Sequence, residues 1–177
     1  MRSVWDRDLP LVELLFDRWE RARSLGFGEA SSAYHLSYFY GTVRVGANVW
    51  IGPYTLIDGS GGGVDIGDYC VISAGVHVYT HDTVAWAVSA GQAEHKQAPV
   101  SIEDCVYVGA QTVIAMGVRV GAHSVIGANS FVNRDIPPYS VAAGVPCRVI
   151  GRVEVSEVGT VELIYSGSDR AHGVGER

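Results

Sequence analysis

Charge is scarce in this chain: only 18% of its 177 residues are Asp, Glu, Lys or Arg, against roughly a quarter in an average soluble protein. Basic residues are the scarcer kind, 13 against 19 acidic ones for a formal net charge of −6. That balance argues against a protein whose task is to grip nucleic acid through a broad basic face, and any anionic ligand must be held by local positive charge. Long apolar runs are missing too. The stretch from Leu9 to Phe16 is interrupted by Pro10 and Glu13 and falls far short of the roughly 20 residues that span a bilayer. Met1 and Arg2 are followed by Trp5, Asp6, Arg7 and Asp8, not by the apolar core of a secretory signal. Cysteine is limited to Cys70, Cys105 and Cys147. An odd number with no CxxC pair indicates neither a disulfide framework nor a zinc knuckle, and the simplest expectation is a reducing, cytoplasmic setting.

Hydrophobic residues, at 47%, are plentiful enough for the core of one domain, and 22 glycines imply many tight turns. Residues 8–26 are expected to form one amphipathic helix. Asp8 would cap it, Pro10 fits its first turn, and Gly26 would stop it in a left-handed conformation. Leu11, Leu15, Trp19 and Ala22 recur at spacings of three and four and make a stripe that must pack on something.

From residue 45 a period of six takes over. Ile102, Val108, Ile114, Val120, Ile126 and Val132 are all β-branched, and each is followed by Glu103, Gly109, Ala115, Gly121, Gly127 or Asn133. The fifth position holds Val106, Thr112, Val118, Ser124, Ser130 and Ile136. The same frame runs upstream through Val45, Ile51 and Ile57, then slips by three residues to Ile66, Ile72 and Val78. The slip falls in Gly59-Ser60-Gly61-Gly62-Gly63, which can absorb it as a turn. Six residues suit neither a lone helix nor an antiparallel meander. They suit a coil of three short strands per 18 residues, whose successive turns stack as parallel sheets about 4.8 Å apart.

The pattern breaks between Thr80 and Pro99, where Gly91, Gln92, Glu94, His95, Lys96 and Gln97 leave no buried face, so a polar loop projects from the column. Asn133 to Tyr139 is expected to end the coil, because Pro137 and Pro138 cannot continue a ladder. Val153, Val155, Val158, Val161 and Ile164 read as an edge hairpin or a partner contact, and residues 167–177 as mobile. His81 sits where coil gives way to loop, and an imidazole titrates near neutral pH, which makes it a candidate general base. His77 lies four residues earlier, faces outward at a column edge and reads as structural.

Three stretches, Gly75-Val76-His77-Val78-Tyr79-Thr80-His81, Tyr107-Val108-Gly109-Ala110 and Ala142-Ala143-Gly144-Val145-Pro146-Cys147-Arg148-Val149-Ile150, resemble the hexapeptide-repeat acyltransferases. The likeness is to the galactoside, maltose and xenobiotic acetyltransferase branch and covers about residues 41–151. It implies a mainly β fold, a left-handed parallel β-helix over residues 41–151 with a projecting loop at 82–99; the residues outside that range are expected to add an N-terminal helical segment at 1–40 packed on it and a partly mobile extension at 152–177. It implies a homotrimer, with acetyl-CoA in the groove between neighbouring columns and no metal.

By the same resemblance His81 is the base; in the sequence itself Asp82 and Glu94 are the nearest carboxylates able to orient it, with no choice between them and with ordinary loop charge as the alternative for either. Gly109 and Ala110 stand where relatives present an amide to the thioester oxygen, Ala110 without the serine hydroxyl some of them add. Tyr107 replaces a tryptophan near the coenzyme. Ala142, Ala143 and Gly144 are small enough to admit the pantetheine arm, and Arg134 and Arg148 match positions that meet its phosphates, to which a guanidinium donates bidentately. Asp58 matches an acidic residue on the acceptor side. His95 either binds the acceptor, completes a neighbour's pocket or is simply solvated.

The N-terminal segment does not resemble the family's sugar-binding one, and an asparagine that holds the sugar is replaced near Pro53 and Tyr54. The expected activity is acetyl-CoA-dependent O-acetylation of a sugar or surface-glycan precursor. N-acetylation of a nucleotide-linked amino sugar or of a xenobiotic is the nearest rival. A γ-carbonic-anhydrase-like metalloenzyme using His77 and His81, and a non-catalytic β-helical scaffold, are the alternatives of other classes.

Overall fold

The structure, a computed structural model, describes residues 11, 15 and 17–166. Its frame is a parallel β-coil with three faces. The first face stacks β1 (Ser32–Ala33), β3 (Trp50–Ile51), β5 (Val71–Ile72), β10 (Tyr107–Val108), β13 (Val125–Ile126) and β15 (Ser140–Ala143). The second stacks the opening of β2 (Tyr38–Val45) and of β4 (Leu56–Ile66), then β6 (His77–Tyr79), β11 (Val113–Ile114) and β14 (Phe131–Val132). The third takes the far ends of β2 and β4, then β9 (Val100–Ile102) and β12 (Arg119–Val120).

Register explains the six-residue period. Ile51, Ile72, Val108 and Ile126 lie directly over one another on the first face, Ile57, Val78, Ile114 and Val132 on the second, and Ile66, Ile102 and Val120 on the third. All of them are buried at 3% exposure or less. One inward aliphatic per face closes the prism, and each branched side chain meets its copy one rung away. Asp side chains fasten one corner: Asp104 Oδ1 accepts from the Asp68 amide at 2.8 Å, and Asp68 Oδ1 from the Ala47 amide at 2.7 Å.

The slip of three is where the sequence placed it. Gly41 pairs with Gly59 and Val43 with Val64, so β4 spends five residues where β2 spends two. The column departs from expectation at both ends. Its first rung lies ahead of residue 41, because Ala33 and Phe39 take inward positions without being Val or Ile. It does not stop at Val132: Ile136 bridges to Val120, and β15 pairs in parallel with β13. Pro137 and Pro138 sit in the corner between these, outside any ladder, where the Pro137 carbonyl accepts from Ser124 Oγ. The edge hairpin is present as β16 (Arg148–Val155) and β17 (Val161–Tyr165), antiparallel on the end of the first sheet.

The helix expected over 8–26 is corrected. A helix, α1, runs Arg18–Ser24, and Asp17 is extended and caps it by accepting from the Trp19 and Glu20 amides at 2.9 Å each. Of the expected stripe only Ala22 is buried, while Leu11 and Leu15 are 70% and 67% exposed. Gly26 ends α1 at φ +76° as expected. The proposed Asp8 cap and the segment 167–177 lie outside the described residues. Among the described residues no helix is long and apolar enough to cross a membrane.

The projecting loop is more ordered than its polar sequence implies. His81–Asp82 (β7) pairs antiparallel with Lys96–Gln97 (β8), and a short helix α2 (Val84–Val88) lies between them.

Candidate active site

His81 is placed by the column. Strand β6 leaves the second face at Tyr79, the fully buried Thr80 follows, and the chain turns out into β7. On the rung above, Asp58 of β4 pairs with Tyr79. This brings Asp58 Oδ2 to 3.5 Å from His81 Nδ1. Nδ1 is buried and makes no hydrogen bond. The pair is therefore a close contact slightly beyond hydrogen-bond geometry. Asp58 is itself held, since Oδ1 accepts from the Ser60 amide at 2.9 Å and from the Ser60 hydroxyl. Its other oxygen is left toward the imidazole.

An open hollow of about 500 Å³ lies beside His81 on the second face, bounded by Tyr79, Asp82, Thr83, Val113, Ala115, Met116, Phe131 and Asn133. Its lining mixes the apolar side chains of Val113, Met116 and Phe131 with the polar ones of Asp82, Thr83 and Asn133. A hollow of about 570 Å³ on the third face contains no histidine; there Arg44 pairs with Asp65, Glu103 with Arg119, and Asp104 accepts from the Asp68 amide. The Arg119 guanidinium bonded to Glu103 holds that carboxyl below the usual range. Of these two hollows, the one on the second face is lined by the imidazole.

Neither expected carboxylate is the one beside His81. Asp82 Oδ1 accepts from the Val84 amide at 2.6 Å and so steadies the start of α2, while Glu94 is exposed in the loop. The carboxylate beside the imidazole is Asp58, which the sequence placed only on the acceptor side. Ser60 was hidden in the glycine-rich slip, and its one visible signal was a lone hydroxyl two residues after an acid. His95 stands edge-on to Trp86 with ring centroids 5.6 Å apart. His77 meets the Tyr79 hydroxyl through Nδ1 at 3.2 Å, in keeping with a structural role. Among the described residues no three His, Cys, Asp or Glu are grouped as a metal would require.

The other expected residues lie at other edges of the column. The Gly109 amide donates to the Ile126 carbonyl at 2.8 Å. The Ala110 amide donates to no acceptor among the described residues. Ala110 stands where the chain enters the second face and His81 where it leaves, so within one chain the width of that face separates them. Tyr107 is on the first face, 46% exposed. Ala142 points into the core at 0% exposure, so of the three small residues only Ala143 and Gly144 reach the surface. Arg134 and Arg148 are exposed toward the C-terminal end, and Arg148 donates to the Cys147 carbonyl at 2.7 Å. Burial pushes the thiols up, Cys70 to about 11, with Cys105 and Cys147 also raised. No cysteine is prepared as a nucleophile.

A family profile described as "Hexapeptide repeat of succinyl-transferase" matches residues 42–80 and 99–134, breaking off where the loop projects. The galactoside O-acetyltransferase of Escherichia coli K12 is 34% identical over 129 residues, 62% of this chain and 63% of its own length. A tetrahydropyridine-dicarboxylate N-acetyltransferase of Staphylococcus aureus is 49% identical over 67 residues, 37% of this chain and 28% of that protein. This chain thus spans under two thirds of each. Among solved structures, a hexapeptide-repeat-containing acetyltransferase of Vibrio cholerae superposes with a TM-score of 0.67 at 30% identity, covering 81% of this chain and 82% of that one. A galactoside acetyltransferase in complex with coenzyme A superposes with a TM-score of 0.59 at 33% identity, over 75% and 70% of the two chains.

Proposed function

This chain belongs to the hexapeptide-repeat acetyltransferases, and on that footing we propose that it is an acetyl-CoA-dependent O-acetyltransferase acting on a sugar or surface-glycan precursor. The observation that carries the reading is His81 at the mouth of a hollow, with Nδ1 turned in to Asp58 at 3.5 Å. That leaves Nε2 as the nitrogen available to a substrate.

In the reaction, Nε2 takes the proton of the acceptor hydroxyl as its oxygen attacks the thioester carbonyl. Asp58 steadies the imidazolium that results. The oxyanion is met by the Ala110 amide, the carbon–sulfur bond breaks, and the coenzyme thiolate recovers the proton from Nε2. Transfer is direct, in keeping with thiols that burial holds protonated. Because one chain keeps Ala110 and His81 on opposite edges of a face, the amide comes from a neighbouring copy in a homotrimer of left-handed columns. Tyr107, Ala143, Gly144, Arg134 and Arg148 would hold the coenzyme along that seam. With acetyl-CoA as the donor, the setting is the cytoplasm.

Likeness to a galactoside O-acetyltransferase supports O-acetylation of a sugar, and likeness to an N-acetyltransferase keeps an amine acceptor as the second reading. The test is free-thiol release from acetyl-CoA across sugars, amino sugars and small amines, run beside His81→Ala. A hydroxyl acceptor with at least about a hundredfold loss in the variant is expected. An amine acceptor would favour the second reading, and a variant as active as the parent would remove His81 from the mechanism.

A further inference from the structure

The three extra residues of β4 lie under Gly41 and Thr42 of β2 and meet both ends of the projecting loop. The Gly61 amide donates to Thr80 Oγ1 at 2.8 Å, and that hydroxyl donates to the Asp58 carbonyl at 2.7 Å. A Cβ on Gly61 would collide with the Thr80 carbonyl and come within 2.9 Å of His81 Cβ, while one on Gly62 would stand 3.0 Å from the Pro99 nitrogen. The Thr80 carbonyl accepts from the Ala98 amide at 2.9 Å. Ser60 fixes one oxygen of Asp58 and leaves the other toward His81. Thr80 and Asp58 are both buried, at 0% and 9% exposure. The bonds of Ser60 and Gly61 come from the stretch in which β4 spends five residues where β2 spends two.

We propose that the insertion at 59–63 is a positioning clasp for the catalytic imidazole, with Ser60 and Thr80 as its positioning residues. Thr80 sets the backbone from which His81 departs, and Ser60 aims the carboxylate that selects the ring's tautomer. The inference rests on His81 being the base. A displacement of about 1 Å in a reacting group can cost on the order of a hundredfold in rate, so a device that contacts neither coenzyme nor acceptor still governs turnover.

The experiment joins kinetics to histidine nitrogen NMR on the full chain. Thr80→Val and Gly61→Ala should lower kcat by roughly tenfold to a hundredfold, with KM for acetyl-CoA within about twofold and Thr80→Ser restoring most of the rate. A merely structural threonine would lower kcat and coenzyme affinity together. In the protein alone, His81 should carry its hydrogen on Nδ1, and Ser60→Ala should give a mixture of tautomers. Folded Thr80→Val and Gly61→Ala proteins with kcat within twofold of the parent would overturn the clasp. So would mixed tautomers in the parent or an unchanged ring in Ser60→Ala. If no acceptor is turned over, the proposed function fails while the tautomer measurement still decides the clasp.

Discussion

Asp58 illustrates how much depends on single side chains at the mouth of the hollow. A carboxylate at 3.5 Å from Nδ1 stabilises an imidazolium, and a carboxamide does not. Asp58→Asn should therefore lower kcat by at least roughly tenfold. Steady-state rates at saturating acceptor check this, and an unchanged kcat would confine Asp58 to acceptor binding. A second residue-scale expectation concerns Cys70, whose thiol donates to the Glu103 carbonyl at 3.0 Å and is pushed up to about 11 from an ordinary value of 9.0 by burial. Below pH 9 the thiol is neutral in both folded and unfolded chains. Between about 9 and 11 only the unfolded chain releases its proton, so stability should fall by up to about 1.4 kcal/mol per pH unit. Chemical denaturation of the parent against Cys70→Ala over that window isolates the contribution, which the variant should lack.

Among the elements, the central strands carry the column. Ile114 of β11 lies between Val78 and Val132 at 0% exposure, and Ile114→Ala should cost about 2–5 kcal/mol, read by urea unfolding. Strands of this kind were legible in the sequence because every rung needs a branched aliphatic at one position, and six in phase leave little choice. Legibility failed where geometry relaxes that need. Ala33 and Phe39 serve the first rung without matching the pattern. Ile136 follows Val132 by four residues instead of six, because a shortened corner brings it under Val120. The site divides in the same way. His81 was visible at the boundary between coil and loop, whereas its pairing with Asp58, and that of Thr80 with Gly61, joins residues a full rung apart that only the slipped register brings together.

At the scale of the whole molecule, the proposed mechanism puts His81 and the Ala110 amide at opposite edges of the second face, so on that proposal activity should depend on assembly. Chains carrying His81→Ala and chains carrying Ala110→Pro, which lacks the amide hydrogen, should each be inactive. Refolded together in equal amounts they should recover up to roughly a quarter of the parental rate, since that share of seams pairs an intact histidine with an intact amide. No recovery from proteins shown to have mixed would place both groups in one chain's site. Acetyl-CoA at a hundred times its Kd should raise Tm by roughly 5–10 °C, measured by thermal unfolding, and a shift of zero would favour the scaffold reading.

The excursion from the column begins and ends almost at one point, for the Ala98 amide bonds the Thr80 carbonyl at 2.9 Å. An insert whose two ends already touch asks little of the frame that carries it, because lengthening or shortening it changes closure entropy only slowly. The segment can therefore be lengthened, shortened or replaced wholesale while the stacked prism at its root stays unaltered.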